Sequence, residues 1–297
     1  MNYTTDDIHN KVKKLLYGLT GITLADNKDI MISNRIEKLK RDSKFKGDIM
    51  ELLQLIEEGS YVTDFINSFT TNKTHFFRED FHFLDLKNRA IPELVKSGNN
   101  ISMYCSASST GEEPYSMAMT LLETQEELGK RLNASIIATD IDTNVLQYAA
   151  NGVYRYSKSS KEFPSWIKPP KYFKKRVQKN LSGEEILIKV KDELKKMISF
   201  QVMNLNDSSY PFSKNQFDIV FCRNVLIYFS SEDQNKILKK LFSHLKIGGT
   251  LYLGHSENPQ DLVNYVKRVG QNIFIKEKEI FWLLLDIKME VLKKRLL

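Results

Sequence analysis

Several clusters of polar side chains interrupt apolar runs of the chain, and their residue types suit the binding of a nucleoside-like ligand. The first is the loop at residues 106–114, which contains a single glycine and the adjacent Glu112 and Glu113. A dinucleotide fingerprint needs more glycines than this loop has, and two glutamates at a helix N-terminus would repel a pyrophosphate. The loop therefore favours a cationic ligand without phosphate, such as S-adenosylmethionine, over NAD. The alternative, that the glutamates only interact with the helix dipole, stays open.

Two further clusters follow the next apolar runs. Nucleotide-binding folds hold ribose hydroxyls with an acidic residue at the tip of the second strand, which makes Asp140 a candidate. The alternative role for this segment is that Asp142 or Thr143 caps the following helix, and both roles can be filled at once because different residues fill them. Asn204 and Leu205 end the third run and suit contacts with an adenine ring, although a plain turn is the simpler explanation of these two residues.

The fourth cluster is Arg223 and Asn224, directly after the apolar run Phe217–Cys222, with Tyr228 about one helical turn later. A buried arginine is costly unless it is paired or bound to a ligand. A structural ion pair with a carboxylate is the alternative. We favour a functional role because the polar residues interrupt a continuous apolar run.

The fifth cluster lies earlier, at residues 72–79, where polar side chains flank Phe76 and Phe77. Taken alone, these residues favour a linker helix that packs the two aromatic rings. His75 in this segment and His255 near the C-terminal end are each expected to be structural histidines and not catalysts.

The elements that must position these clusters follow from hydrophobic periodicity. Residues 1 to about 70 show helical spacing only, which predicts a small all-helical N-terminal domain. From about residue 100, short apolar runs alternate with segments of helix length, which predicts a parallel, doubly wound sheet. The predicted strands are 101–107, 134–139, 198–204, 217–222 and 250–254, and the predicted helices are 114–128, 143–150 and 232–245. Ligands bind at the carboxyl ends of such strands, where four of the clusters lie.

Two stretches depart from this alternation. Residues 152–197 are rich in lysine, contain a predicted strand at 185–191, and are expected to form an inserted subdomain. Residues 272–285 are predicted to form a terminal hairpin, and residues 287–297 a short basic helix.

Composition limits the function classes. The chain has 297 residues, 41% of them hydrophobic, which is enough for one large domain and a smaller one. Its polar first residues do not resemble a secretory signal, and no apolar run is long enough to span a membrane. Cys105 and Cys222 each lie in an apolar run, so we expect a reducing cytoplasm and no disulfide. Neither cysteine has the neighbouring His or Cys residues of a metal site, so we expect no metal.

The net charge of +7 favours acidic partners without choosing among them. Residues 30–46 carry six basic and two acidic side chains, with Arg35, Lys38 and Arg41 among the basic ones. From spacing alone, a solvated helix face explains this stretch.

Taken together, the clusters resemble the chemotaxis receptor methyltransferases, the CheR family. The order and spacing match from about residue 5 to about residue 275, and the single-glycine loop makes the match specific. The matching segments are residues 72–79, 108–116, 139–143, 217–224, 227–229 and 254–257.

The resemblance implies an α/β fold: a Rossmann-like class I methyltransferase domain at residues 76–285 with a small antiparallel β subdomain at about 152–197. An all-helical receptor-recognition domain precedes it at residues 1–75, and a tail of unknown role follows at 286–297. S-adenosylmethionine would be the cofactor and S-adenosylhomocysteine the product. The implied cofactor-binding residues are Asn72, Thr74, Arg78, Glu113, Asp140, Asn204, Leu205, Arg223 and Asn224.

The implied reaction is transfer of the methyl group to glutamate carboxylates of chemoreceptors, which yields methyl esters. Arg78 and Tyr228 match the family's residues nearest the transferred methyl. The implied partner is the methylation region of a receptor, bound by the basic N-terminal face with Arg35, Lys38 and Arg41. Whether the β subdomain also holds a receptor tail peptide stays open. Neither nucleic-acid binding nor membrane insertion is expected, and the expected location is the cytoplasm.

Three rival functions are weaker. A nucleic-acid methyltransferase of the base-amine class would show an acidic residue or asparagine, two prolines and an aromatic where this chain has residues 222–225. A non-catalytic signalling module that only binds S-adenosylmethionine is disfavoured by the presence of Arg78 and Tyr228. A nicotinamide oxidoreductase lacks its glycine fingerprint.

Overall fold

A computed structural model describes residues 3–157, 162–180 and 183–280. The α-helices are α1 Thr5–Thr20, α2 Asp29–Asp42, α3 Ile49–Glu57, α4 Val62–Phe69, α5 Phe81–Asp85, α6 Ile91–Ser97, α7 Glu112–Leu128, α8 Thr143–Asn151, α9 Pro169–Tyr172, α10 Asp192–Lys195 and α11 Ser231–His244. The strands are β1 Asn100–Ser106, β2 Asn133–Asp140, β3 Val153–Tyr156, β4 Phe173–Asn180, β5 Gly183–Val190, β6 Ile198–Val202, β7 Phe217–Cys222, β8 Leu245–Leu253, β9 Val266–Gly270 and β10 Ile273–Lys276. Within the described ranges, no helix has the length and apolar character that crossing a membrane requires.

Helices α1 to α4 enclose a hydrophobic cluster of their own, as their periodicity predicts. Thr4 begins α1 with a capping box in which its side chain and that of Asp7 satisfy each other's backbone N–H groups. Gly21 ends the helix at φ +77°, a conformation that costs other residues free energy. The buried members of the cluster are Val12, Leu15, Leu16, Ile32, Ile36, Leu39, Leu52, Leu53, Ile56, Phe65 and Phe69.

The large sheet has seven strands in the order β6-β2-β1-β7-β8-β10-β9. The first five are parallel, as predicted, whereas β10 runs antiparallel to both of its neighbours. The sheet is therefore mixed, and the Rossmann-like class predicted from sequence is confirmed. The chain reverses its direction of strand addition between β1 and β7, which opens a crevice at their carboxyl ends.

The C-terminal hairpin was predicted too late in the sequence. It consists of β9 and β10, and therefore ends at Lys276 rather than near residue 285. The apolar residues after position 280 suggested a longer strand, but residues 281–297, including the predicted basic helix at 287–297, lie outside the described part of the chain.

A three-stranded antiparallel sheet, β3-β5-β4, forms the inserted subdomain. Only β5 was predicted, because the basic residues of β4 hide its strand pattern. Phe163 joins this subdomain to the main body by stacking on Phe76 at a ring-centroid distance of 5.0 Å. Tyr154 of β3 meets the same ring edge-on at 4.9 Å.

Lys276 at the end of β10 is fully buried, and its side chain caps the C-terminal end of helix α11. Its Nζ donates hydrogen bonds to the carbonyl oxygens of Phe242 and Leu245, at 2.9 and 2.8 Å, and pairs with Glu279 at 3.0 Å. The last carbonyl groups of a helix have no partner within the helix, so this ammonium group satisfies them.

Replacing Lys276 by methionine should lower the free energy of unfolding by about 2–4 kcal/mol, because it leaves two buried carbonyls and a carboxylate without their cation. Lys236→Met on the same helix is the matched control, since Lys236 is more than half exposed and forms only local ion pairs. Urea unfolding followed by circular dichroism measures both variants. Equal losses in the two would contradict the role given to Lys276.

Candidate active site

A cavity of about 700 Å³ lies over the crevice between β1 and β7. All ten site residues named from sequence line it, so residues that are up to 156 positions apart in the chain are brought together. One wall consists of residues from the N-terminal helices and the connection between α1 and α2, which the sequence did not predict. These wall residues include Thr20, Ile22, Thr23, Leu24, Ala25, Lys28, Met31, Arg35 and Phe69.

The loop after β1 approaches the cavity through its backbone. Gly111 has φ +96°, and a Cβ atom there would lie 2.7 Å from the Cβ of Ala149, which explains the single glycine. Ser108 lines the cavity and is 1% exposed, and its Oγ has no hydrogen-bond partner among the described residues. A buried hydroxyl without a partner fits a site that is completed by a ligand.

The two glutamates of this loop have different surroundings. Glu113 lines the cavity, whereas Glu112 accepts a hydrogen bond from Thr110 Oγ1 at 2.6 Å and does not line it. Burial raises the pKa of both carboxyl groups. The geometry therefore favours Glu113 as the glutamate that faces a ligand.

The loop after β2 was considered for two functions, helix capping and ligand binding, and the structure places a different aspartate for each. Asp142 caps α8 by accepting from the backbone N–H groups of Asn144 and Val145, and it also accepts from Asn72 Nδ2 at 2.8 Å. Asp140 lines the cavity and accepts from Ser109 N at 2.8 Å. Burial raises the pKa of Asp140 to about 6, although backbone hydrogen bonds oppose the rise.

The guanidinium of Arg223 is fully buried at the end of β7 between two carboxylates. Its Nη1 lies 2.8 Å from Glu113 Oε2, and its Nη2 lies 3.1 Å from Glu79 Oε2. Nη2 also donates a hydrogen bond to the backbone oxygen of Arg78. The structural ion pair considered as the alternative for Arg223 is thus present, and it fixes the glutamate that faces the cavity.

Glu79 has further partners on its exposed side. Burial would raise its pKa, but Arg223, together with His255 and Asn224, lowers the pKa of Glu79 to about 2. His255 Nδ1 lies 3.0 Å from Glu79 Oε1, and Asn224 Nδ2 donates to the same oxygen at 3.1 Å. Glu79 is therefore ionised near neutral pH.

Residues 72–79 do not form the linker helix favoured by the fifth cluster taken alone. Phe76 and Phe77 are buried, as expected, but they lie at a turn that follows an irregular segment. Phe77 has φ +52° and Glu79 has φ +56°, so two unfavourable left-handed residues flank Arg78. Arg78 lines the cavity and donates to the backbone oxygen of Lys73 at 3.1 Å.

Asn204 and Leu205 occupy the end of the cavity near β6. Asn204 Nδ2 donates to Leu19 O at 3.0 Å, and its Oδ1 accepts from Asn206 N at 2.9 Å. The amide therefore supports a turn and joins it to α1. Both residues line the cavity as well, so the turn and a ligand-binding role are compatible.

Tyr228 is held by the N-terminal helices. Its backbone oxygen accepts from Thr23 N at 2.9 Å and from Thr23 Oγ1 at 3.2 Å. Arg35 on α2 faces the cavity and is close enough to Tyr228 to interact with it electrostatically. The Arg35 guanidinium donates to Thr70 O at 3.0 Å. Arg35 therefore lies at the cavity, apart from the exposed Lys38 and Arg41 with which it was grouped.

Three residues important to this geometry had no role at the cavity assigned from sequence: Glu79, Glu257 and Arg35. Glu257 follows β8, so the rule that placed the other clusters at carboxyl ends of parallel strands also applies to it. Nothing in the sequence connects Arg35 with residues almost two hundred positions away. Among the described residues, no group of three or more His, Cys, Asp or Glu side chains could hold a metal ion.

Comparison with known proteins identifies relatives that match most of the chain. Residues 72–275 match the family described as CheR methyltransferase, SAM binding domain. The chain is 35% identical to the chemotaxis protein methyltransferase of Borreliella burgdorferi, over 86% of this chain and 89% of that protein. It is also 35% identical to the chemotaxis protein methyltransferase of Escherichia coli, over 92% of each chain.

The family match covers more than half of the chain, the relatives extend it over the N-terminal helices, and the residues that carry the resemblance meet at one cavity. The chain therefore belongs to the CheR family and is an S-adenosylmethionine-dependent chemotaxis methyltransferase.

Proposed function

We propose that this enzyme methylates glutamate side chains of chemoreceptors to form carboxyl methyl esters. The observation that carries the proposal is that both signs of charge line the cavity. Glu113 and Asp140 contribute carboxylates, of which Glu113 is paired with Arg223, and Arg35, Arg78 and Lys28 contribute cations. A cavity with both signs of charge suits a cationic cofactor and an anionic substrate at the same time.

The acidic and polar residues of the lining fit S-adenosylmethionine. Glu113 offers a carboxylate to a cationic group, and Asp140 retains lone pairs for ribose hydroxyls, because each carboxylate oxygen accepts more than one hydrogen bond. Ser108 Oγ is available as a further partner. We propose that the cofactor contacts come from Asn72, Thr74, Arg78, Glu113, Asp140, Asn204, Leu205, Arg223 and Asn224.

The bound cofactor supplies an electrophilic methyl group on a sulfonium. A glutamate carboxylate is already ionised near neutral pH, so no protein group has to remove a proton from it. The work of the protein is orientation and charge stabilisation. Arg78 has five N–H donors, of which the structure commits one to Lys73 O. We propose that Arg78 and the hydroxyl of Tyr228 hold the substrate carboxylate in line with the methyl group.

Recognition of the receptor is assigned to the helical part, residues 1–75. Lys38 and Arg41 of α2 are exposed, and Arg35 lies on the same helix at the cavity. This arrangement supports binding of a receptor helix along α2. The exposed cations would bind the acidic face of that helix, and Arg35 would contact the receptor glutamate that enters the cavity. Residues 1–75 contain eleven basic and eleven acidic side chains, so the attraction is local to α2.

The β subdomain is proposed as a second contact, with a receptor tail peptide. Residues 152–197 carry thirteen basic and five acidic side chains, a surplus that exceeds the net charge of the whole chain. Lys174 and Lys189 are directly opposite each other on β4 and β5 and are both exposed. Like charges in this position destabilise a sheet, which supports a role in binding an acidic partner.

Arg78→Ala should lower kcat about 100-fold and Tyr228→Phe about 10-fold, because each removes a donor aimed at the substrate carboxylate. Methyl transfer to a receptor fragment at saturating cofactor measures both. Arg131→Ala and Tyr148→Phe are the matched controls, since both residues are exposed and neither lines the cavity. The assigned roles are wrong if both site variants retain the kcat of their controls.

The affinity for S-adenosylhomocysteine should fall about fourfold between about pH 8 and about pH 5.5, because the Asp140 carboxyl, with its pKa of about 6, becomes protonated and loses acceptor capacity. Isothermal titration calorimetry measures the affinity. Asp140→Asn should bind weakly at both pH values. If the affinity of Asp140→Asn keeps the pH dependence of the native protein, a group other than Asp140 causes that dependence.

Replacing Lys38 and Arg41 together by glutamate should raise the KM for the receptor about 10-fold and leave kcat within about twofold, since both residues are exposed and remote from the chemistry. The effect should shrink at high salt. Lys130→Glu with Arg131→Glu gives the same charge change on another exposed segment. Equal KM values for the two double variants would refute the assignment of this face.

A further inference from the structure

The carboxylate of Glu257 is bound entirely by backbone N–H groups. Its Oε1 accepts from Val225 N at 2.9 Å and Leu226 N at 2.8 Å, and its Oε2 accepts from Asn224 N at 3.0 Å and Gly254 N at 2.6 Å. Glu257 is 6% exposed, and no ion pair with a basic side chain is found for it in the described part of the chain. The protein therefore buries an anion and compensates it with peptide dipoles alone.

Three of the four donors are consecutive residues, 224–226, in the connection that follows β7. Asn224 has φ +57°, which turns its N–H toward the same side as the next two. Successive N–H groups in such a turn form an anion-binding concavity, and here the anion is supplied by the chain itself. The connection continues directly into the 3₁₀ turn Leu226–Tyr228. Glu257 thus fixes the backbone that carries Tyr228.

The segment that carries Glu257 is itself held firmly. Asn272 Nδ2 donates to the backbone oxygens of Gly254 and Glu257, at 2.6 and 2.8 Å. A Cβ atom on Gly254 would lie 2.7 Å from Asn224 N, so a glycine is required for the two turns to approach. The anion and its donors are therefore packed against each other without intervening atoms.

The same segment also reaches the other proposed catalytic residue. His255 Nδ1 lies 3.0 Å from Glu79 Oε1, and Glu79 directly follows Arg78. Asn224 connects the two glutamates, since its backbone N–H donates to Glu257 and its side-chain Nδ2 donates to Glu79. Residues 254–257 are therefore in contact with both turns that carry the groups assigned to the substrate carboxylate.

We propose that Glu257 is a positioning residue for methyl transfer, which acts by holding the 224–226 backbone and through it Tyr228 and Asn224. The inference rests on the proposed function, because it concerns the geometry of that reaction. The four hydrogen bonds are charge-assisted and therefore stronger than neutral ones. A shift of about 1 Å in a positioning element costs about 100-fold in rate. Removing the anion should thus affect the chemical step and not only the stability of the fold.

The test compares Glu257→Gln with Asp218→Asn. The first variant would present an amide N–H₂ group to two backbone donors. Asp218 is a buried carboxylate at the other end of β7, which accepts from Ser102 N at 2.8 Å and pairs with Lys246 at 2.7 Å, so it controls for the loss of a buried carboxylate away from the cavity. Both variants should lose thermal stability. Rates are divided by the fraction of molecules that bind S-adenosylhomocysteine, so that unfolded protein does not count.

The expected result is a kcat reduced at least about 10-fold in Glu257→Gln and within about twofold of the native value in Asp218→Asn. A native kcat among the binding-competent molecules of Glu257→Gln would overturn the proposal. If that variant yields no competent protein, Glu257→Asp decides, since it keeps the anion but withdraws it by one methylene. A tenfold loss of kcat supports the proposal, and an unchanged kcat overturns it.

Failure of the proposed function is a separate outcome in this experiment. Native protein that binds S-adenosylhomocysteine but transfers no methyl group to the receptor fragment would contradict the proposed reaction. Native protein that transfers normally, together with a fully active Glu257→Gln, would contradict only the role of Glu257.

Discussion

The buried guanidinium of Arg223 is the interaction on which the site depends. It lies between Glu79 and Glu113 without any solvent exposure, and it also binds the backbone of Arg78. Leaving either partner of such a buried pair alone costs about 3–5 kcal/mol, so the three side chains act as one unit. Through this unit the end of β7 fixes the loop after β1, which lines the cavity, and the strained turn that presents Arg78.

The N-terminal helices are a structural part of the cavity as well as a candidate receptor surface. Thr23 binds the backbone of Tyr228, Asn204 binds Leu19 O, and Arg35 reaches the cavity from α2. A receptor helix bound along α2 would therefore contact residues that are rigidly connected to the catalytic turn. If the proposed receptor surface is correct, recognition and chemistry share a common framework.

Much of this architecture could be predicted from sequence, because parallel strands bring their carboxyl ends to one edge and polar residues there are conspicuous. All ten named site residues line the cavity, most of them for that reason. The contribution of Arg35 to the cavity could not be predicted, since it depends on how the helical part docks on the sheet. Strand β4 was missed because alternating burial is absent from its exposed, basic residues. The terminal hairpin was placed too far along the chain because apolar content does not mark where a strand ends.

We propose that a methyl group is transferred to a substrate carboxylate in this cavity. The most direct test is the transfer of radiolabelled methyl from S-adenosylmethionine to a purified chemoreceptor cytoplasmic fragment, followed by mild base. We expect label on the receptor that base releases as methanol, because a methyl ester hydrolyses under these conditions. Label that resists base, or tight cofactor binding without any transfer to the receptor, would contradict it.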